Sequence, residues 1–238
     1  MENTEYAWME ENVNRIREQM ETAAQAAGRK PEEILLCAAC KTRTVDMVKA
    51  SAKLPIDLFG ENHVQELVEK VDAGAYLQKP GHFIGHLQTN KIKYVLGRAS
   101  LIQSIDSERL LLALEKAAAK RDMIQDVLIE VNIGNEESKT GLSVAQLWSV
   151  LDLAAAQEHI QVKGLMAIPP ANTSDDENRR YFAATRTLFE KASTLHYDNI
   201  HMEILSMGMS SDFTNAILEG STMIRIGTDI YGTRNYKQ

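Results

Sequence analysis

Eight short, β-rich apolar runs recur along this chain with longer helical patterns between them, and that alternation restricts the fold more than any other feature. The runs fall at 34–39, 58–60, 83–85, 101–104, 127–131, 162–166, 202–206 and Met223–Ile226. Helical periodicity fills 45–52, 64–75, 91–96, 107–120, 144–157, 177–195 and 213–219. A strand followed by a helix must return over the sheet, so such strands pair in parallel. Eight units without a block of hairpins predict a closed (β/α)8 barrel of the α/β class. A doubly wound open sheet is the alternative, but it usually carries a Gly-rich first turn, and none follows 34–39. An additional helix precedes the first strand. Val13, Ile16, Met20, Ala23 and Ala27 recur at helical spacing, and Gly28 and Pro31 end the pattern.

No linker or low-complexity segment interrupts the chain, so residues 1–238 read as a single domain. With 238 residues it can bury a large core without disulfides or a structural metal. A net charge of −7 argues against a general nucleic-acid binder while leaving room for a local cationic pocket. Two cysteines do not make a disulfide scaffold. The residues Met1 to Glu5 lack the basic start of a signal peptide. No apolar run approaches the roughly 20 residues that span a bilayer. The expectation is a cytoplasmic protein with no membrane partner.

In an α/β barrel, function sits where strands end. The first strand ends in Cys40-Lys41-Thr42, and Leu35, Cys37, Ala39 and Lys41 share one parity. Small Ala39 below Lys41 leaves space in the barrel mouth. A lysine closing an apolar strand is desolvated, which favours the neutral amine that attacks aldehydes. The simpler alternative is a lysine that merely extends to solvent. The seventh run is followed by Met207-Gly208-Met209-Ser210-Ser211-Asp212, and the eighth by Gly227-Thr228. Loops after strands seven and eight frequently bind phosphate in barrels. Ser210, expected to open a short helix, offers a hydroxyl and backbone N–H groups. Gly227 allows close backbone approach and Thr228 adds a donor. These are also ordinary turn and cap residues. Both loops facing a lysine suit a ligand with an aldehyde and a phosphate, and pyridoxal 5′-phosphate (PLP) is such a ligand.

Several segments carry a family resemblance. They are Lys41-Thr42, Phe59-Gly60-Glu61-Asn62, the stretch from His82 to Lys91, Gly164-Leu165-Met166-Ala167-Ile168-Pro169, Ser206 to Asp212, and Gly220 to Thr228. Together they resemble the pyridoxal phosphate homeostasis proteins, which look like the barrel domain of alanine racemases without its second domain. The resemblance implies that Lys41 carries PLP covalently as a Schiff base. By the racemase order it implies Ser210 on the phosphate, Arg225 at the pyridine nitrogen and Gly227 lending its backbone to the phosphate. It further suggests Asn62 near the cofactor, Thr228 on the phosphate and Lys139 as a second lysine on the cofactor path. Arg43 and Thr89 depart from the family pattern at positions expected to vary. The implied role is to hold, buffer or deliver PLP, with apo PLP enzymes as possible clients and an indirect effect on amino-acid and keto-acid balance. A PLP-dependent racemase or lyase is the alternative, and a phosphosugar-binding barrel is a third. No catalytic residue is assigned, and a monomer is expected.

Other chemistry is weaker. Cys37 and Cys40 have redox spacing, but within a strand they read as buried structural thiols. His82 and His86 are expected to flank a strand and turn, so they lack the helical face of a zinc pair, and no metal is expected. His86 is expected at the mouth. A loop charge paired with Glu136 or Glu137 is the simpler reading of Lys139. Asp175-Asp176-Glu177 reads as an acidic helix start.

Overall fold

The computed structural model describes residues 6–136 and 139–233. The residues Met1 to Glu5, and Glu137 as a partner for Lys139, lie outside that range. Eight parallel strands close into a barrel in sequence order. They are β1 (Leu35–Ala39), β2 (Leu58–Glu61), β3 (Gly81–Phe83), β4 (Leu101–Ile105), β5 (Gln125–Val131), β6 (Ile160–Ala167), β7 (Ile200–Ser206) and β8 (Met223–Ile226). The additional first helix, α1, spans Ala7–Ala26. Each strand is then followed by a helix: α2 (Val45–Ser51), α3 (Val64–Asp72), α4 (Ile92–Val95), α5 (Glu108–Ala119), α6 (Val144–Ala155), α7 (Asp175–Ser193), α8 (Phe213–Leu218) and α9 (Thr228–Tyr231).

Alternation along the strands divides the apolar residues between two environments. Inside the barrel, Cys37, Leu58 and Met223 pack with Leu35 and Ile204, and Leu101, Leu128 and Met166 form a second group. Residues of opposite parity, such as Leu36, Phe59, Phe83, Ile102, Ile129 and Ile224, join the main core beneath the helices. The helix α1 contributes Met9, Val13, Ile16 and Met20 to that core. It is tied to the end of the barrel by Asn12, whose Nδ2 donates to Ile230 O at 3.2 Å. The acidic start of α7 has Ser174 as its cap. Ser174 Oγ accepts from the Glu177 N–H, and the Glu177 carboxylate accepts from the Ser174 N–H.

Strand three differs from the sequence reading. It occupies Gly81–Phe83, two residues earlier than 83–85. Gly85 lies beyond the strand and passes so close to Asn62 that a Cβ there would overlap the Asn62 carbonyl. His82 therefore lies inside the strand rather than beside it. Its side chain is buried against that of Gln103 inside the barrel. No helix among the described residues is long and apolar enough to cross a membrane.

Candidate functional site

A cavity of about 460 Å³ opens where β1, β7 and β8 end. Ala39, Lys41 and Arg43 line it from the first strand and its loop; Met209, Ser210 and Ser211 from the loop after β7; Arg225, Gly227, Thr228 and Asp229 from β8 and the residues beyond it. The volume is in the range of small-molecule sites. Lys41, Ser210, Arg225, Gly227 and Thr228, residues from the two ends of the sequence, thus share one wall system. The β1–β8 pairing brings them together, with Cys37 in register with Arg225.

Two placements differ from expectation. Ser210 does not open α8, which begins at Phe213 with Asp212 before it. Asp212 Oδ1 accepts the Met209 N–H at 2.6 Å and folds the intervening residues into a turn. Ser210 stands in that turn and receives the Asp229 N–H on its hydroxyl at 3.4 Å, so the two loops touch. Asn62 is not among the residues lining the cavity. It follows β2, and its Oδ1 is buried with no hydrogen-bond partner. Gly227 is close to β1: a Cβ there would stand 3.0 Å from Ala39 O.

Arg225 is buried, and burial pulls its pKa below the ordinary arginine value. Its Nη1 donates to Ser206 Oγ at 2.6 Å and its Nη2 to Ala167 O at 3.1 Å. The chain continues across the barrel. Ser206 Oγ donates to Gln103 Oε1 at 2.7 Å, and Gln103 Nε2 lies 2.9 Å from His82 Nδ1. Burial pushes the His82 pKa down to about 3, so the ring is neutral. Arginine has only donors, so Ser206 accepts there and spends its proton on Gln103. The Gln103 amide then points its NH2 at His82 Nδ1, which must be the unprotonated ring nitrogen.

Glu130 is another inward polar residue that the sequence reading missed. It is buried, and burial raises its pKa, while Thr140 Oγ1 donates to it at 2.7 Å. Its signal was a carboxylate at the inward parity of β5, in step with Leu128. Arg43 was also missed. It lines the cavity and donates from Nη2 to Gly232 O at 2.6 Å.

The remaining candidates lie elsewhere. Lys139 Nζ donates to Pro169 O at 2.8 Å and pairs with Glu136 at 3.2 Å, outside the cavity lining. His86 bonds Asp106 at 2.8 Å and lines a separate depression with Gln88 and Arg109. Cys37 and Cys40 are fully buried free thiols. Burial pushes Cys37 up to about 12 and Cys40 well above the ordinary value, which makes both inert. No group of three or more His, Cys, Asp or Glu side chains suited to a metal occurs among the described residues.

The family model described as "Alanine racemase, N-terminal domain" matches residues 11–235. The chain belongs to the alanine racemase N-terminal domain family. Its relatives within that family include the pyridoxal phosphate homeostasis protein of Aquifex aeolicus, 38% identical over 226 residues, which cover 95% of this chain and 98% of the relative. The protein of the same name in Escherichia coli K12 is 36% identical over 95% of this chain and 97% of its own length. Among solved structures, PipY of Synechococcus elongatus PCC7942 with PLP bound superposes with a TM-score of 0.79 at 28% identity, covering 90% of this chain and all of that one. An alanine racemase from Corynebacterium glutamicum shares the family fold at 19% identity and a TM-score of 0.71, covering 93% of this chain and 62% of the racemase.

Proposed function

We propose that this protein is a PLP-binding homeostasis protein of the alanine racemase N-terminal domain family, which holds the cofactor in the cavity at the ends of β1, β7 and β8. The observation that carries the reading is that Lys41 lines the same cavity as Ser210, Gly227, Thr228 and Arg225. The donor set suits the ligand. A primary amine stands on one side and two loops of hydroxyl and backbone groups on the other, with a guanidinium from β8. The full chain serves as one PLP-binding barrel domain in the cytoplasm.

Bound PLP supplies an aldehyde that condenses reversibly with a primary amine, and a ring that can withdraw electrons. Lys41 holds the aldehyde end. Ser210, Gly227 and Thr228 hold the phosphate with neutral donors. Arg225 would meet the ring nitrogen, where a donor-only group disfavours a proton. That weakens the ring as an electron sink. Lys41 is the one lysine lining the cavity among the described residues, so it has no amine facing it from the opposite wall. The reading of the role as holding and delivery, with apo PLP enzymes as recipients, is supported by the relatives named pyridoxal phosphate homeostasis proteins that match nearly the whole chain. In the test, purified protein is loaded with PLP, reduced with borohydride and cleaved into peptides. One cofactor per chain at Lys41, lost in Lys41→Ala, is the expected result; attachment at a different lysine overturns the assignment.

A further inference from the structure

Lys41 stands at the tip of a tight turn whose closing bond runs from the Arg43 N–H to Cys40 O at 3.1 Å. Lys41 and Thr42 are its two central residues. Thr42 has φ +65°, whereas Lys41 has no positive φ. This is the type II pattern, and its second central position ordinarily takes Gly or Asn. A β-branched residue there is strained, and such strain persists only where the surroundings hold it.

The surroundings do so from behind the strand. From α3, Glu66 Oε2 accepts the Thr42 N–H at 2.6 Å. One helical turn later, Lys70 Nζ donates to Cys40 O at 2.7 Å. The two peptides that flank Lys41 are thus held by an adjacent pair, and Lys70 lies 3.2 Å from Glu66 itself. Lys70 is in turn anchored to Glu61 Oε1 at 2.7 Å, with both side chains fully enclosed. Burial opposes the Lys70 ammonium, yet the Glu61 and Glu66 carboxylates beside it keep its pKa above the ordinary lysine value. Cys40 Sγ and Tyr76 OH also point at Glu61 Oε1, at 2.7 and 3.3 Å. None of these groups lines the cavity.

We infer that Glu66 and Lys70 are positioning residues which, by gripping the peptides on either side of Lys41, hold the strained Lys41-Thr42 turn that aims the lysine amine into the cavity. The inference rests on the reading of Lys41 as the residue that captures PLP. The capture step is a condensation: the amine adds to the aldehyde carbon, a C=N bond replaces C=O, and one water leaves. No oxidant or reductant is consumed.

Glu66 is the residue to test, because it is partly exposed, whereas removing Lys70 would strand Glu61 in the core. Glu66→Ala, Glu66→Gln and Glu66→Ala/Thr42→Gly are compared with the unaltered protein by two readouts. One is the extent of covalent capture of PLP, from the imine absorbance and borohydride fixation. The other is affinity for pyridoxine 5′-phosphate, which keeps the phosphate and ring but has no aldehyde. In Glu66→Ala, capture should fall about tenfold, as for loss of one hydrogen bond to a charged group, while affinity for the analogue stays unchanged. Glu66→Gln, which keeps an acceptor, should retain most of the capture. Thr42→Gly in the Glu66→Ala background should recover it, because glycine adopts the turn unaided. Unchanged capture in Glu66→Ala, equal loss by both readouts, or no recovery with Thr42→Gly would each overturn the inference. Fixation away from Lys41 in the unaltered protein would instead overturn the underlying functional reading.

Discussion

Arg225 Nη1 and Ser206 Oγ meet at 2.6 Å across neighbouring strands, and that contact sets the direction of every bond behind it. A donor-only guanidinium makes Ser206 an acceptor, Gln103 a relay and His82 a neutral terminus. These groups lie inside the barrel, beneath the cavity floor to which Arg225 belongs.

Ser206→Ala should therefore be costly despite the small change in volume. It removes a bond to a charged group and leaves Gln103 Oε1 buried without its donor. A loss of about 3 kcal/mol in unfolding free energy is expected from denaturant titration. A loss within experimental error would show that the chain of bonds contributes nothing.

His82 gives the fold a pH dependence of known sign. Its folded pKa is pushed down to about 3 from an ordinary 6.5, so between those values the unfolded chain binds a proton that the folded chain refuses. The contribution is fully present above the unfolded value and is lost as pH falls toward the folded one. Between about pH 7 and about pH 5, His82→Gln should lose about 2 kcal/mol less stability than the unaltered protein. Parallel pH profiles for the two proteins would contradict this.

The phosphate site can be read from binding alone. Pyridoxal, lacking the phosphate, should bind far more weakly than PLP in equilibrium titrations, and equal affinities would refute the site. Gly227→Val places a side chain against Ala39 O, where a Cβ already stands at 3.0 Å, and should weaken PLP binding by about tenfold or more. Thr228→Ala should weaken it less if its backbone N–H is the main donor.

Holding and catalysis separate in deuterated water. Loaded protein incubated with L-alanine should show at most slow α-proton exchange and little D-isomer. Turnover in the ordinary enzyme range of about 1–10³ s⁻¹ would make this protein an enzyme.

The barrel was legible because β-rich runs and helical periods alternate without interruption, and Lys41, Ser210 and Gly227 were legible because each follows a strand end. His82 was harder: Gly81 and His82 carry no strand signal, so the third strand reads two residues late. Gln103, Ser206 and Glu130 sit at inward parity in apolar strands, a signal visible only once the barrel is assumed. Lys70 and Glu66 look like an exposed helical pair four residues apart. Nothing local marks that they reach the backbone of the turn after β1. Arg43 and Asp229 depend on loop paths that spacing does not encode.

The pairing of β1 with β8 has a consequence for biosynthesis. Lys41 leaves the ribosome early, whereas Arg225, Gly227 and Thr228 come near the end, and the register of Cys37 with Arg225 is what joins them. A partly translated chain presents the lysine with no opposing wall. Ligand capture through that wall must await ring closure, the strand pairing of greatest sequence separation and so the most expensive strand pairing in chain entropy. Cofactor retention would then report on complete synthesis, and truncated or stalled chains would sequester none.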